Sequence, residues 1–246
     1  MVREEAETTE RLEIASAADV LRLPGTVQRD VLDRRNVVVE HPALAPLRFY
    51  LKVLRSRGID RLLPGTPRAV RELHRLLEFR SHGIEVPRPV LAGSARGMSF
   101  LLTRAVEPAV PLDDWLVGAE RKSLRVRRAL ESVARITARM HTRGLFHRDL
   151  YLCHFLRRED GGLVLLDVER SLSHPWRVRR WRIKDLAALS SSLGSVVSRA
   201  DRLRGLKEYL RSAAPGLDIR PLLRAVRKKE LRILAHVPRK ARETSR

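Results

Sequence analysis

Apolar positions change their period along the chain, and each change predicts an element. Val37, Val38 and Val39, and then residues 47–54, are β-branched, aromatic or alternating. They flank the turn-like His41-Pro42-Ala43-Leu44-Ala45-Pro46, which predicts a β-hairpin. After Pro64-Gly65-Thr66-Pro67, the apolar positions Val70, Leu73, Leu76 and Leu77 recur at helical spacing as far as Gly83. Thr66 and Pro67 supply the cap and first turn, so one helix follows the hairpin. Strand signals at 89–92 and 98–103 flank the turn Gly93-Ser94-Ala95-Arg96-Gly97, completing a small sheet with one helix. Beyond Glu107-Pro108-Ala109-Val110-Pro111, which reads as a linker, the chain turns to long helices, the clearest from about 120 to 142. Strand-like segments at 155–157 and 163–168 surround the Asp160-Gly161-Gly162 turn, and helices fill the remainder.

The shift from strands to helices predicts two lobes in an α+β chain. The expected order is a tail with one short element (1–34), a β-rich N-lobe (35–106), a hinge (107–111), a mainly helical C-lobe (112–235) and a basic tail (236–246). A length of 246 residues suits one large domain or two small lobes. Hydrophobic content of 43% beside 32% charged residues argues for a folded core rather than disorder.

Fifty Lys plus Arg against 29 Asp plus Glu give a net charge of +21. Such a balance suits a polyanionic partner: a phosphate-bearing glycolipid, an anionic membrane face or nucleic acid. Only seven of the fifty are lysines, so the basicity is forked guanidinium, which grips phosphate or carboxylate in pairs of hydrogen bonds. One cysteine, Cys153, excludes an internal disulfide and a CxxC metal motif, and its apolar context predicts a buried thiol. The acidic start Met1-Val2-Arg3-Glu4-Glu5 is unlike a secretory signal, and no run approaches the roughly 18 apolar residues of a spanning helix. The expectation is a cytoplasmic chain, either free or peripheral on the inner face of the cytoplasmic membrane.

The densest chemical signal is His147-Arg148-Asp149-Leu150-Tyr151-Leu152-Cys153-His154-Phe155, between a long helix and a strand. Asp167 follows eighteen positions after Asp149, at the end of the apolar Leu163-Val164-Leu165-Leu166. Phosphoryl transfer to a hydroxyl needs a carboxylate at the acceptor oxygen, a second on Mg²⁺, and a lysine on the phosphates oriented by a glutamate. Lys52 in a strand, Glu72 on the next helix, Asp149 in a loop and Asp167 at a strand end supply these in order.

At these residues the chain resembles the protein-kinase-like superfamily, and more closely the bacterial lipopolysaccharide kinase family of Kdo and heptose kinases. The likeness rests on His147-Arg148-Asp149-x-Tyr151-x-Cys153-His154-Phe155-Leu156, on Asp167-x-x-Arg170, and on Arg180-Trp181-Arg182-x-Lys184-Asp185-Leu186-Ala187. Ser198-Arg199-Ala200-Asp201-Arg202-Leu203 adds to it, and it spans roughly residues 35 to 235. It implies a protein-kinase-like two-lobe fold, a small β-rich N-lobe and a mainly helical C-lobe, with ATP between them. It further implies that Lys52 contacts the ATP phosphates and pairs with Glu72. Asp149 orients the acceptor hydroxyl while His147 and Arg148 hold the loop, Asp167 ligates Mg²⁺, and Asp185 anchors the loop backbone.

Each assignment has a plainer alternative: Lys52 a solvated strand lysine, Glu72 an exposed helix residue rivalled by Glu78, Asp149 a turn residue, Asp167 a strand-end cap, Asp185 a surface residue. His154 stands where protein kinases place a metal-binding asparagine. Imidazole suits hard Mg²⁺ poorly, so His154 is expected at the nucleotide site bonded to Asp149 or Asp167, or as a packed histidine. No GxGxxG precedes Lys52, and Val168-Glu169 replaces Phe-Gly after Asp167.

The cluster Trp176-Arg177-Val178-Arg179-Arg180-Trp181-Arg182 combines ring faces with forked cations. Arg177, Arg179, Arg180, Arg182 and Trp181 therefore suit a sugar bearing phosphates or carboxylates; tryptophans in a core and arginines on a solvated face are the alternative. The basic stretch from Arg220 onward suits either anionic lipid or solvent.

The function expected from this resemblance is ATP- and Mg²⁺-dependent phosphorylation of a heptose or Kdo hydroxyl of the lipopolysaccharide inner core. A small-molecule or protein kinase of the same fold and a non-catalytic kinase-like module are the alternatives. No helix-turn-helix, RNP-type aromatic motif or zinc spacing supports nucleic acid as the partner.

Overall fold

A computed structural model of the chain describes residues 2–31, 33–55, 65–120, 123–174, 176, 178–194, 197–213 and 219–236. Arg177 and residues 237–246 of the expected basic tail lie outside the described residues. The chain divides into two compact units, one of residues 1–81 and 86–107, the other of residues 82–85 and 108–246.

The first unit is built on a five-stranded antiparallel sheet. Its strands are β1 (Gly25–Val31), β2 (Arg34–Glu40), β3 (Arg48–Arg55), β4 (Pro89–Ala95) and β5 (Met98–Arg104), in the order β1-β2-β3-β5-β4. Alternate residues point to opposite faces of a strand. Val37, Val39, Phe49, Leu51, Val53, Phe100 and Leu102 form one buried face with Leu12 and Val20. Leu12 lies just beyond helix α1 (Val2–Arg11), and Val20 ends the short helix α2 (Ala17–Val20). The other face of the sheet carries Lys52. Helix α3 (Arg68–Ser81) packs against β3, β4 and β5, burying Ala69, Glu72, Leu76 and Phe79. It ends before Gly83, whose φ of +68° is a conformation that glycine adopts without a Cβ penalty.

Residues 1–34, expected as a tail with one short element, thus contain two helices and an edge strand. β1 escaped the apolar pattern because every one of its residues is exposed. Gly25 opens it under a close approach, since a Cβ there would lie 2.1 Å from the Val38 carbonyl oxygen.

The second unit is mainly helical: α4 (Leu112–Gly118), α5 (Leu124–Thr142), α6 (Val178–Ser192), α7 (Arg199–Ala213) and α8 (Ile219–His236). Ser123 caps α5, accepting the Val126 N–H at 3.3 Å, so this helix starts later than its apolar period suggests. Ser198 and Asp201 exchange hydrogen bonds at the start of α7. Ala134, Ala138, Leu186, Ala187, Tyr209, Leu210, Leu222 and Val226 form the core between α5, α6, α7 and α8. These helices also line an apolar cavity of about 820 Å³.

Small strands carry the loops. β6 (Ala109–Pro111), β8 (Phe155–Arg158) and β9 (Leu163–Leu165) make one sheet, and β7 (Leu145–Phe146) pairs with β10 (Leu172–Ser173). Residues 109–111, placed in the expected hinge, therefore form a strand of the second unit. Residues 82–85, placed in the expected N-lobe, belong there too. The Gly83 carbonyl accepts from Arg139 at 2.7 Å, and the Glu85 carbonyl accepts the Leu165 N–H at 2.8 Å.

Candidate active site

In the first unit Lys52 projects from β3 and Glu72 from α3. Lys52 Nζ lies 2.6 Å from Glu72 Oε2, and the two side chains are only 8% and 6% exposed. Glu78 is engaged elsewhere, with Arg75 at 2.6 Å. The pair expected from the sequence is formed, and neither the solvated lysine nor the exposed glutamate describes it. Two charges are removed from water here, which is costly unless each keeps an opposite charge and hydrogen bonds.

In the second unit the chain leaves β7 into the loop 147–151. Asp185, fully buried on α6, accepts the His147 N–H at 2.8 Å and the Arg148 N–H at 2.7 Å. Its Oδ2 also lies 3.2 Å from His141 Nε2. Burial pushes the His141 ring below its usual pKa despite the opposing pull of Asp185. A neutral ring donating from Nε2 to Asp185 must accept at Nδ1, where the Tyr209 hydroxyl stands at 2.8 Å. The loop thus hangs from one carboxylate, held in turn by α5 and α7.

His147 ties this loop to the segment before Asp167. Its Nε2 lies 2.8 Å from the Leu166 carbonyl, an acceptor only, so Nε2 carries the proton. Burial lowers its pKa, opposed by that hydrogen bond. The Leu166 N–H returns to the His154 carbonyl at 2.7 Å. Arg148 and Asp167 adopt positive φ values, 74° and 55°, sparse territory for residues with a Cβ and a form of backbone strain often stored at functional sites.

These constraints place a compact polar group at the loop end. Asp149 Oδ2 lies 2.8 Å from Arg170 Nη1, and its Oδ1 lies 3.7 Å from Lys184 Nζ. The ring of His154 stands between the two aspartates. Its Nδ1 donates to the Asp149 backbone carbonyl at 2.8 Å, and its Nε2 lies 3.9 Å from Asp167 Oδ2. Asp149, Asp167, His154 and Asp185 are therefore gathered in one unit. Chemically, Asp149 offers a carboxylate to a hydroxyl and Asp167 offers oxygen to a cation.

The donor set fits Mg²⁺ held on nucleotide phosphates. Asp167 supplies a hard carboxylate oxygen at a partly exposed position. Among the described residues no group of three or more His, Cys, Asp and Glu forms a protein cage, and Mg²⁺ commonly binds through one or two carboxylates, phosphate oxygens and water. His154 is committed to the Asp149 carbonyl through Nδ1, so it orders the loop.

The arginine-tryptophan cluster is divided by the helix it begins. Arg179 and Arg180 are exposed, whereas Trp181 and Arg182 are half-buried on α6. Trp181 lies under two guanidinium groups, those of Arg148 at 5.3 Å and Arg180 at 5.0 Å from its ring centre. Trp176 is exposed. Cys153, expected to be buried, is exposed on the turn Leu152–His154, which buries Leu152 and turns the next side chain outward. Partial desolvation of its sulfur, then Asp113, pushes the thiol pKa up, which leaves it a poor nucleophile.

Four contributors carried no assigned role from sequence: Arg170, Lys184, His141 and Tyr209. Arg170 and Lys184 were visible only as letters of motifs, and His141 and Tyr209 meet across 68 positions with no local pattern.

A family model for the lipopolysaccharide kinase (Kdo/WaaP) family matches residues 48–209. The lipopolysaccharide core heptose(I) kinase WaaP of Pseudomonas aeruginosa is 39% identical over 161 residues, 60% of this chain and 56% of that protein. The protein of the same description from Escherichia coli K12 is 28% identical over 235 residues, covering 84% of this chain and 83% of its own. Another from Escherichia coli is 30% identical over 228 residues, covering 82% and 83%. The solved structure of WbdD aligns over 85% of this chain and 51% of that one, at 17% identity and a TM-score of 0.49. With the match spanning both the Lys52–Glu72 pair and the Asp149–Asp167 loop, the chain belongs to the lipopolysaccharide kinase (Kdo/WaaP) family and is a kinase.

Proposed function

We propose that this kinase transfers the γ-phosphoryl group of ATP to a hydroxyl of a heptose or Kdo residue in the lipopolysaccharide inner core. The observation that carries this reading is the Asp149 carboxylate, set at the end of a loop whose backbone Asp185 fixes at two consecutive N–H groups. Asp149 accepts the hydrogen bond of the acceptor hydroxyl and takes its proton as the oxygen becomes phosphorylated. Lys52, oriented by Glu72, holds the nucleotide phosphates, and Asp167 holds the cation. ATP with Mg²⁺ supplies the phosphoryl group and neutralises its charge. His154 keeps the Asp149 backbone in register with Asp167.

The exposed guanidinium groups of Arg179 and Arg180 suit acidic groups on the acceptor, and the relatives named as core heptose(I) kinases make heptose the first acceptor to test. The outer face of α8 exposes Arg224, Lys228 and Arg232 beside Leu231, a combination suited to the anionic inner face of a membrane. No helix among the described residues is long and apolar enough to cross a membrane.

The test is incubation of the pure protein with radiolabelled ATP and Mg²⁺ in three parallel reactions: core oligosaccharide, a protein substrate, and no acceptor. Label in the oligosaccharide alone, lost in Asp149→Ala and Asp167→Ala, supports the reading. Label in the protein substrate with none in the oligosaccharide overturns it.

A further inference from the structure

Both oxygens of the Asp149 carboxylate face cations, and the two cations are held differently. Lys184 Nζ, 3.7 Å from Oδ1, comes from α6, where the adjacent residue is the buried anchor Asp185; its side chain is 27% exposed. Arg170 Nη1, 2.8 Å from Oδ2, comes from the turn after Asp167, and its side chain is 61% exposed. The backbone of Arg170 is fixed, because its carbonyl accepts from Arg148 Nη1 at 3.2 Å. Its guanidinium is therefore the free end of an anchored arm. Lys184 has no such freedom, since burial pulls its ammonium below the usual pKa and Asp149 pulls it back. Moving it away would leave a partly desolvated charge without its carboxylate.

An exposed ion pair is worth little net, so a guanidinium can exchange one carboxylate for another anion at small cost. While Arg170 sits on Oδ2, it competes with an incoming hydroxyl for that oxygen.

We propose that Arg170 and Lys184 divide the work on Asp149: Lys184 is a positioning residue that fixes the carboxylate, and Arg170 leaves it for an anionic group on the acceptor. That group is a carboxylate carried by the sugar near the hydroxyl being phosphorylated. Its arrival draws the guanidinium off and frees Oδ2 for the hydroxyl, so the charge of the acceptor is read before the base is available. The inference rests on the sugar-kinase reading and adds the residue that selects an acidic acceptor.

The experiment uses the full chain with two acceptors: phosphate-free core oligosaccharide with its sugar carboxylates intact, and the same material with those carboxylates reduced to alcohols. Arg170→Gln is expected to raise KM for the acidic acceptor about fivefold, the upper worth of an exposed ion pair, and to speed transfer to the reduced acceptor, because no guanidinium then covers Oδ2. Lys184→Met is expected to lower kcat for both acceptors by roughly 10²-fold with KM for ATP unchanged, the scale of a misplaced catalytic group. Lys184→Arg should restore part of it, which a purely structural loss would not allow. Unfolding midpoints measured beside the kinetics distinguish misfolding from lost positioning. If Arg170→Gln shifts both acceptors equally, or Lys184→Met keeps wild-type kcat, the inference fails while the sugar-kinase reading stands. If the wild-type protein phosphorylates neither acceptor, both fail.

Discussion

The Tyr209 hydroxyl donates to His141 Nδ1 at 2.8 Å, and through that ring it orders Asp185, 3.2 Å from Nε2. Three helices thereby meet at one carboxylate, since His141 ends α5, Asp185 lies on α6 and Tyr209 on α7. The loop that carries Asp149 takes its backbone position from that point.

Tyr209→Phe removes the hydroxyl that donates to His141 Nδ1, and both side chains are buried. A buried acceptor left unpaired costs about 1–3 kcal/mol. In a chain of this size each kcal/mol lowers the unfolding temperature by roughly 2–4 °C. A drop of this order in a thermal melt, with activity surviving below the transition, is the expected outcome; an unchanged melt would remove the Tyr209–His141 link from the account.

Acid should loosen the same region. The pKa values of His141 and His147 are both lowered from 6.5 by burial. Below that value the unfolded chain takes up protons that the folded chain refuses, so stability is full above it and falls as the pH drops through the unfolded pKa. Urea midpoints should therefore fall between about pH 7.5 and about pH 5.5, before carboxylates titrate. His141→Asn, lacking one of the two rings, should start less stable but show a shallower fall, and equal slopes in the two proteins would exclude His141 as a source.

Asp149→Ala and Asp167→Ala should each reduce phosphoryl transfer by roughly 10²–10⁴-fold, the usual worth of a proton-transfer group and a loss that removal of a cation ligand readily matches. Both side chains are partly exposed and neither supports the core, so Asp167→Ala should melt close to wild type, while Asp149→Ala, which leaves the half-buried Lys184 ammonium without its carboxylate, should melt slightly lower. Near wild-type transfer in either variant would remove that residue from the chemistry.

How much of this was visible in the amino-acid order depended on what each residue needed around it. Lys52, Glu72, Asp149 and Asp167 were legible because each is an ionisable residue on or beside a segment with a clear apolar period. Asp185 was legible only through the likeness of its motif, since nothing local distinguishes a buried aspartate from an exposed one on a helix. Arg170 and Lys184 were hidden by abundance: among fifty basic residues a cation carries no meaning until the fold sets it against a carboxylate. β1 was hidden for the opposite reason, because an edge strand with no buried residue has no apolar alternation to read. Cys153 was misread because its apolar neighbours Leu152 and Phe155 are buried while the turn sends its own side chain outward.

His154→Asn tests what the histidine supplies. The ring's Nδ1–H holds the Asp149 carbonyl, and an asparagine amide N–H can do the same while offering a carbonyl oxygen toward the Asp167 side. Oxygen suits Mg²⁺ better than imidazole does. Transfer within about tenfold of wild type, with half-saturation at equal or lower Mg²⁺, is the expected result of a magnesium titration. A higher Mg²⁺ requirement would mean that the imidazole, and not merely its hydrogen bond, matters to the cation.

The Lys52–Glu72 pair allows stability to be separated from catalysis. Removing one partner of a buried ion pair costs about 3–5 kcal/mol, because the other charge stays out of water. Glu72→Met should therefore destabilise the first unit through Lys52, whose side chain is only 8% exposed, and Lys52→Met should do the same through Glu72. Replacing both with methionine removes both charges and keeps apolar volume, a change often neutral or stabilising in other buried pairs. The double variant should recover most of the denaturant midpoint lost in either single variant. It should recover none of the activity, because no ammonium remains for the nucleotide phosphates, and its affinity for ATP should match that of Lys52→Met alone. Recovery of transfer along with stability would show that the pair merely braces β3 against α3, and would move phosphate binding to other cations of the chain.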